Sequence, residues 1–123
     1  MKKISFYRVD YATPAELEDW VRERSLPSTA NELKVKVREG DYVLAARFDL
    51  HTKTGQVRAV GRVMRSDAVL DVEWRAEGFD LHPTQQGCRF WLMSNFRFAD
   101  SVAGRYMLEK KCTGLFFDVG NPP

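Results

Sequence analysis

A chain of 123 residues, 44% of them hydrophobic, has room for one domain whose core needs no disulfide or metal to hold it. A net charge of +2 imposes no nucleic-acid or membrane-surface role, so electrostatic recognition must rest on local clusters. Apolar runs fall short of the roughly 18 residues a membrane span needs, and Cys88 and Cys112 form no CxxC spacing, which predicts no membrane partner, no disulfide framework, no zinc site and a reduced, cytoplasmic setting.

Residues 4–9 alternate apolar and polar positions and predict a first strand. Thr13-Pro14 with Glu16 forms a helix start, because Thr13 caps, Pro14 needs no N–H partner in the first turn, and Glu16 stands three residues after the cap. Leu17, Trp20 and Val21 make that helix's apolar stripe, and Pro27 ends it near Arg24. After the polar connection over 25–31, Leu33, Val35 and Val37 alternate with Lys34, Lys36 and Arg38. Gly40-Asp41 launches a buried strand over 42–48, and the next strand places Val57, Ala59, Gly61 and Val63 on one face. Residues 68–76 carry the cleanest two-residue alternation and pair with that strand as a hairpin. An irregular segment over 78–87 precedes a predicted strand over 88–93 and a short extended piece over 95–98. Ala99-Asp100-Ser101 then caps a second helix facing Val102, Tyr106, Met107 and Leu108 inward, with a last edge strand over 115–119. Residues 1–120 are read as one domain and 121–123 as a tail or the start of a linker, without repeats or a signal peptide.

Interior glycine weakens a strand and marks a bulge or a close approach, so Gly61 suggests a curved sheet closing over a hollow. The predicted fold is α+β: a small curved mixed β-barrel of about five to six strands flanked by two or more helices.

The order of these elements resembles a known family. The N-terminal helix, the polar linker, the Gly40-Asp41 turn, Val60-Gly61-Arg62-Val63, Val72-Glu73-Trp74, and Phe96-Arg97-Phe98 ahead of a helix with Arg105-Tyr106 are similar to a PUA-like domain of the EVE type. Relatives of such domains are the YTH domains and the N-terminal DNA-binding domains of modification-dependent restriction systems. The resemblance implies a reader that holds a flipped base in an aromatic-walled pocket. The base would be a methylated or hydroxymethylated cytosine or a methylated adenine, in DNA rather than RNA. It further implies a specificity module of a restriction or defence system, any nuclease or NTPase lying on a separate segment or partner. An RNA reader, or a protein or small-ligand module on the same barrel, is the alternative.

Such a pocket needs stacking walls and groups for the base edge, since extrusion costs a few kcal/mol and stacking returns about 1–3 kcal/mol per base. Trp74, Trp91, Tyr42 and Phe79 are candidate walls, with a core role the competing account of Trp74. Ser28, Thr29 and Asn31 could read a base edge or simply cap a turn, and Asp41 could accept from an exocyclic amine or close its own turn. Arg58, Arg62, Arg75, Lys34, Lys36 and Arg38 are candidate phosphate contacts, Arg58 and Arg62 sharing one strand face, and Gln85 and Gln86 could enter a groove. His51, His82, Cys88 and Cys112 fall in no catalytic or metal-ligand spacing, so no catalysis and no cofactor are predicted.

Overall fold

The computed structural model of the chain describes residues 3–26, 30–67 and 70–116. β1 (Phe6–Val9) leads into α1 (Pro14–Glu23), which starts as its cap predicts. The Thr13 hydroxyl accepts from the Glu16 N–H at 3.2 Å, and the Glu16 carboxylate accepts from the Ala12 N–H at 3.2 Å. Arg24, in the left-handed region at φ 53°, closes the helix. The alternation over 33–38 turns out to be helical: in α2 (Asn31–Lys36) Leu33 is buried along with Val37 one turn on, whereas Val35 is 76% exposed. Alternating apolar residues over so few positions satisfy a helix face at i and i+4 as well as a strand face.

β2 (Tyr42–Asp49), β3 (Thr54–Ser66) and β4 (Leu70–Leu81) form an antiparallel meander. The predicted hairpin is present, but β4 runs on through residues 77–81, so Phe79 lies in a strand opposite Val57 rather than in a loop. α3 (Cys88–Trp91) replaces the strand predicted over 88–93, and β5 (Asn95–Arg97) follows where an extended piece was predicted. The second helix is split into α4 (Asp100–Arg105) and α5 (Leu108–Phe116), and at the break Met107 takes φ 57° and is 54% exposed instead of facing inward. Because α5 occupies 115 and 116, the edge strand predicted there does not begin; the rest of that prediction and the 121–123 tail lie outside the described residues.

The five strands lie in the order β4-β3-β2-β1-β5, with β1 parallel to β2 and antiparallel to β5. Among the described residues β4 and β5 do not pair, so the sheet is open, not a closed barrel. Helices on both faces account for this, since a sheet covered on both sides has no apolar face that closure must hide. On one face Val9, Val43, Ala45 and Val63 pack with Leu17, Trp20 and Leu33; on the other Phe6, Tyr42, Leu44 and Val60 pack with Trp91, Leu108 and Cys112.

The hollow expected beside Gly61 does not exist. A Cβ on Gly61 would stand 2.7 Å from Val72 Cγ1 and 3.0 Å from the Trp74 indole, so the cross-strand Trp74 has taken the space that the missing side chain leaves. Glycine here permits close packing within the hairpin.

A β-bulge at Arg58 also overturns part of the predicted strand face. Ala59, Gly61 and Val63 face α1 and α2, but Val57 belongs to the opposite core. An extra residue on the bulged strand breaks strict alternation. No helix among the described residues is long and apolar enough to cross a membrane.

Candidate functional site

An aromatic-lined cavity of about 220 Å³ lies between α3, β5 and α4. Phe90 and Trp91 from α3, Phe96 and Phe98 from and just after β5, and Tyr106 at the end of α4 make its walls. The rings meet edge to face: Trp91–Phe96 at 5.3 Å, Trp91–Phe98 at 5.9 Å, Phe96–Phe98 at 4.9 Å and Phe98–Tyr106 at 6.3 Å between centroids. Such geometry sets ring edges against ring faces and holds each ring in place. Arg97 and Arg105, both exposed, stand at the rim. The Arg97 guanidinium donates to Asp100 at 3.0 Å and to the Ser5 hydroxyl at 3.3 Å.

Local chemistry explains how α3 presents Trp91. The Thr84 hydroxyl accepts from the Gly87 N–H at 3.1 Å and the Thr84 carbonyl from the Cys88 N–H at 3.0 Å, a turn that launches the short helix. Trp91 then lies flat on Gly55, where a Cβ would come within 2.3 Å of the indole, and stacks on Phe48 at 5.8 Å. Behind it sits Arg8, only 2% exposed. Its guanidinium donates to the carbonyls of Ala46 (3.0 Å), Trp91 (3.2 Å) and Met93 (2.6 Å) and to Asp10 (3.2 Å), and lies 5.0 Å from the Trp91 ring. One buried cation thus fixes the aromatic wall to β1 and β2. Burial holds the Arg8 pKa below its ordinary value, with Asp10 opposing the shift, and burial likewise raises that of the Tyr106 phenol.

The residues nominated from sequence are dispersed. Trp91 lines the cavity, and the exposed Gln85 and Gln86 lie in the turn beside its Thr84 wall. Trp74 is on the other face of the sheet, its indole N–H donating to the Ser25 carbonyl at 3.0 Å and its ring 6.3 Å from Trp20. Tyr42 is 1% exposed, stacked on Phe6 at 5.6 Å, and Phe79 lies half-buried with Lys111 5.1 Å from its ring. Asp41 closes its turn: its carboxylate accepts from the Ser5 N–H at 3.0 Å and the Arg38 N–H at 2.9 Å. Asn31 is exposed at the start of α2, and Ser28 and Thr29 lie outside the described residues.

Lys34, Lys36 and Arg38 cluster at the end of α2, away from the cavity, and Arg75 pairs with Glu73 at 2.9 Å while lying 5.2 Å from the Phe116 ring. Arg58 and Arg62 do not share a face: the bulge sends Arg58 beside Tyr11 and Leu17, while Arg62 meets the Tyr42 hydroxyl on the other side. Reading the sequence missed Phe90, Phe96, Phe98, Tyr106, Arg97 and Arg105 as a site. The density of aromatic residues over 90–98 was the available signal.

His51 and His82 are exposed, Cys112 is buried with its thiol pushed up to about 12, and among the described residues no three His, Cys, Asp or Glu side chains are placed to share a metal ion. Compared with known proteins, the chain matches no family model, no curated protein and no solved structure.

Proposed function

We propose that this chain is a non-catalytic nucleic-acid reader that holds an extruded base in the cavity between α3, β5 and α4. The observation that carries the reading is that cavity's construction, five aromatic side chains around about 220 Å³ with two arginines at the mouth. A base leaving its stack needs planar apolar surfaces inside and cations outside for its phosphate.

Within that reading the guest is a modified base, a methylated or hydroxymethylated cytosine or methyladenine, in DNA in preference to RNA. The domain would be the specificity module of a modification-dependent restriction or defence system, its nuclease or NTPase on another segment or partner. The support for this finer part is the resemblance to EVE-type PUA-like domains, and two of its motifs, Phe96-Arg97-Phe98 and Arg105-Tyr106, supply three of the five aromatic walls and both rim arginines. The open sheet departs from the barrel that the resemblance implies, so the pocket and not the sheet topology bears the weight.

The test is a fluorescence titration with oligonucleotides that differ in one modified base. Trp91 is the reporter, because Trp20 and Trp74 lie across the sheet. Replacing the 55% exposed Phe90 by Ala, or the half-buried Tyr106 by Leu, leaves the deeper core intact. Each should cost about 1–3 kcal/mol of binding, the worth of one stacking partner. Weak, salt-insensitive binding that is the same for every oligonucleotide would overturn the reading.

A further inference from the structure

Trp91 borders more than the aromatic cavity. It also lines a second depression together with Tyr11, Arg47 and Leu92. Tyr11 and Arg47 in turn line a third, about 690 Å³, between α1 and the β3–β4 hairpin, where Arg22 and Arg58 join them. Tyr11 and Arg47, common to the second and third depressions, make those two one trough, and Trp91 stands between it and the aromatic cavity.

We propose that this trough carries the sugar–phosphate backbone of a single-stranded nucleic-acid segment flanking the base held among the aromatic rings. The proposal rests on the base-pocket reading and extends it from a single base to the strand that bears it.

Three features support it. The first is the bulge. Without it a regular pleat would turn Arg58 to the side of Val60, away from α1; the extra residue lets Arg58 and Ala59 both face the trough. Bulges commonly re-aim a side chain next to a functional site.

The second is charge. Glu18 also lines the trough, Asp10 is engaged by Arg8, Asp19 pairs with Arg22, and Asp80 lies 4.0 Å from Arg58. Among the described residues no carboxylate comes within ion-pair distance of Arg47, whose guanidinium sits 6.0 Å from the Tyr11 ring. The phenol of Tyr11 has its pKa raised by burial and pulled back by Arg58 and Arg47, in that order, with Asp10 adding a smaller upward push, so both cations bear on one donor hydroxyl. A phosphate oxygen is the acceptor such a group of donors suits.

The third is apolar surface. Leu50 at 69%, Leu92 at 67% and Met93 at 53% exposure line the middle depression. A duplex presents phosphates and buried bases to a protein; an unpaired strand also presents base faces, which side chains of this kind can cover.

The experiment uses the full chain and a labelled ten-nucleotide single strand, with affinity measured from 50 to 200 mM salt. Arg47→Gln with Arg58→Gln removes two exposed cations without opening the core. Losing two single-strand phosphate contacts should flatten the slope of log affinity against log salt by about 1.4, so the double variant loses about sevenfold less affinity across that range than the parent. Arg47→Glu is the second variant and should weaken binding further at low salt, with thermal melts confirming the fold of both. A fully abasic strand should keep most of the parent's salt slope and leave Trp91 emission unchanged. An unaltered slope in both variants overturns the proposal, as does tighter binding to duplex or to polyglutamate than to the single strand. The pocket is scored separately: failure of Phe90→Ala and Tyr106→Leu to affect modified-base binding, with the arginine effects intact, removes the base pocket and leaves a phosphate trough.

Discussion

Replacing Arg8 by Met should be the most damaging single change near the candidate site. Met fills much of the same volume but donates no hydrogen bond. The substitution strands three carbonyls that now receive the guanidinium, those of Ala46, Trp91 and Met93 at 3.0, 3.2 and 2.6 Å. It also removes the cation 5.0 Å from the Trp91 ring. An unsatisfied buried acceptor costs about 1–3 kcal/mol. The Met93 carbonyl is only partly buried, so water can replace part of that bond, and the native state no longer bears the cost of desolvating a cation. The Ala46 and Trp91 carbonyls alone come to about 2–6 kcal/mol at that cost, and the relieved desolvation brings the loss toward the lower end. That is a large share of the roughly 5–15 kcal/mol that separates folded from unfolded domains. Urea unfolding followed by tryptophan emission measures it, with an unchanged m-value showing that the loss is in stability rather than in compactness. A loss under about 1 kcal/mol would show that the carbonyls find water easily and that the aromatic wall is held by ring packing alone.

Three further outcomes follow from individual contacts. Gly55→Ala places a Cβ 2.3 Å from the Trp91 indole, so the ring must shift into the cavity; about 1–3 kcal/mol of stability and base binding should fall together, and unaltered Trp91 emission would contradict this. Asp71 accepts two bonds from Arg24, at 2.7 and 3.1 Å, and this pairing, Arg24's hydrogen bond first, holds its carboxyl below the usual carboxylate range. A depressed folded-state pKa gives stability present above the unfolded value of about 3.9 and lost as pH falls through the folded one, so Asp71→Asn should cost up to about 1 kcal/mol at neutral pH and nothing in strong acid. Equal pH profiles for parent and variant would refute the pairing. The Cys112 thiol, pushed up to about 12 by burial, should resist a thiol reagent at about pH 8 until the chain is denatured, while the half-buried Cys88 reacts first; simultaneous rapid labelling of both would show that α5 opens readily.

Where a local rule decided the structure, the sequence was sufficient. Thr13, Pro14 and Glu16 set the start of α1, Gly40-Asp41 set the turn into β2, and the alternation around Val72 and Trp74 set the hairpin. Long-range packing decided the rest. Leu33 and Val37 fit a helix face and a strand face equally well over so short a span, and only burial against the sheet chose between them. The segment 88–93 is a short apolar run that suits a strand on paper, yet Trp91 reaches the sheet from a helix because Gly55, more than thirty residues away, leaves room for its ring. Gly61 suggests a hollow by rule, but the space beside it is taken by Trp74 from the adjoining strand and holds no room for a ligand. The cavity draws on residues from α3 to α4 that no spacing rule groups, and Arg8 read as the polar position of an alternating strand because nothing local reveals that β1 is covered on both sides.

The placement of β1 has a consequence for synthesis. Of the five strands β1 is made before the others, yet its two neighbours are β2 and β5, and β5 appears only after the whole meander has been made. The nascent protein can therefore assemble β2, β3 and β4 from adjacent segments and add β1 through the α1–α2 crossover, while the far flank of β1 waits with unpaired backbone groups. Any truncation that ends before residue 95 leaves that flank bare in the middle of an apolar surface, and such fragments should self-associate rather than persist as monomers.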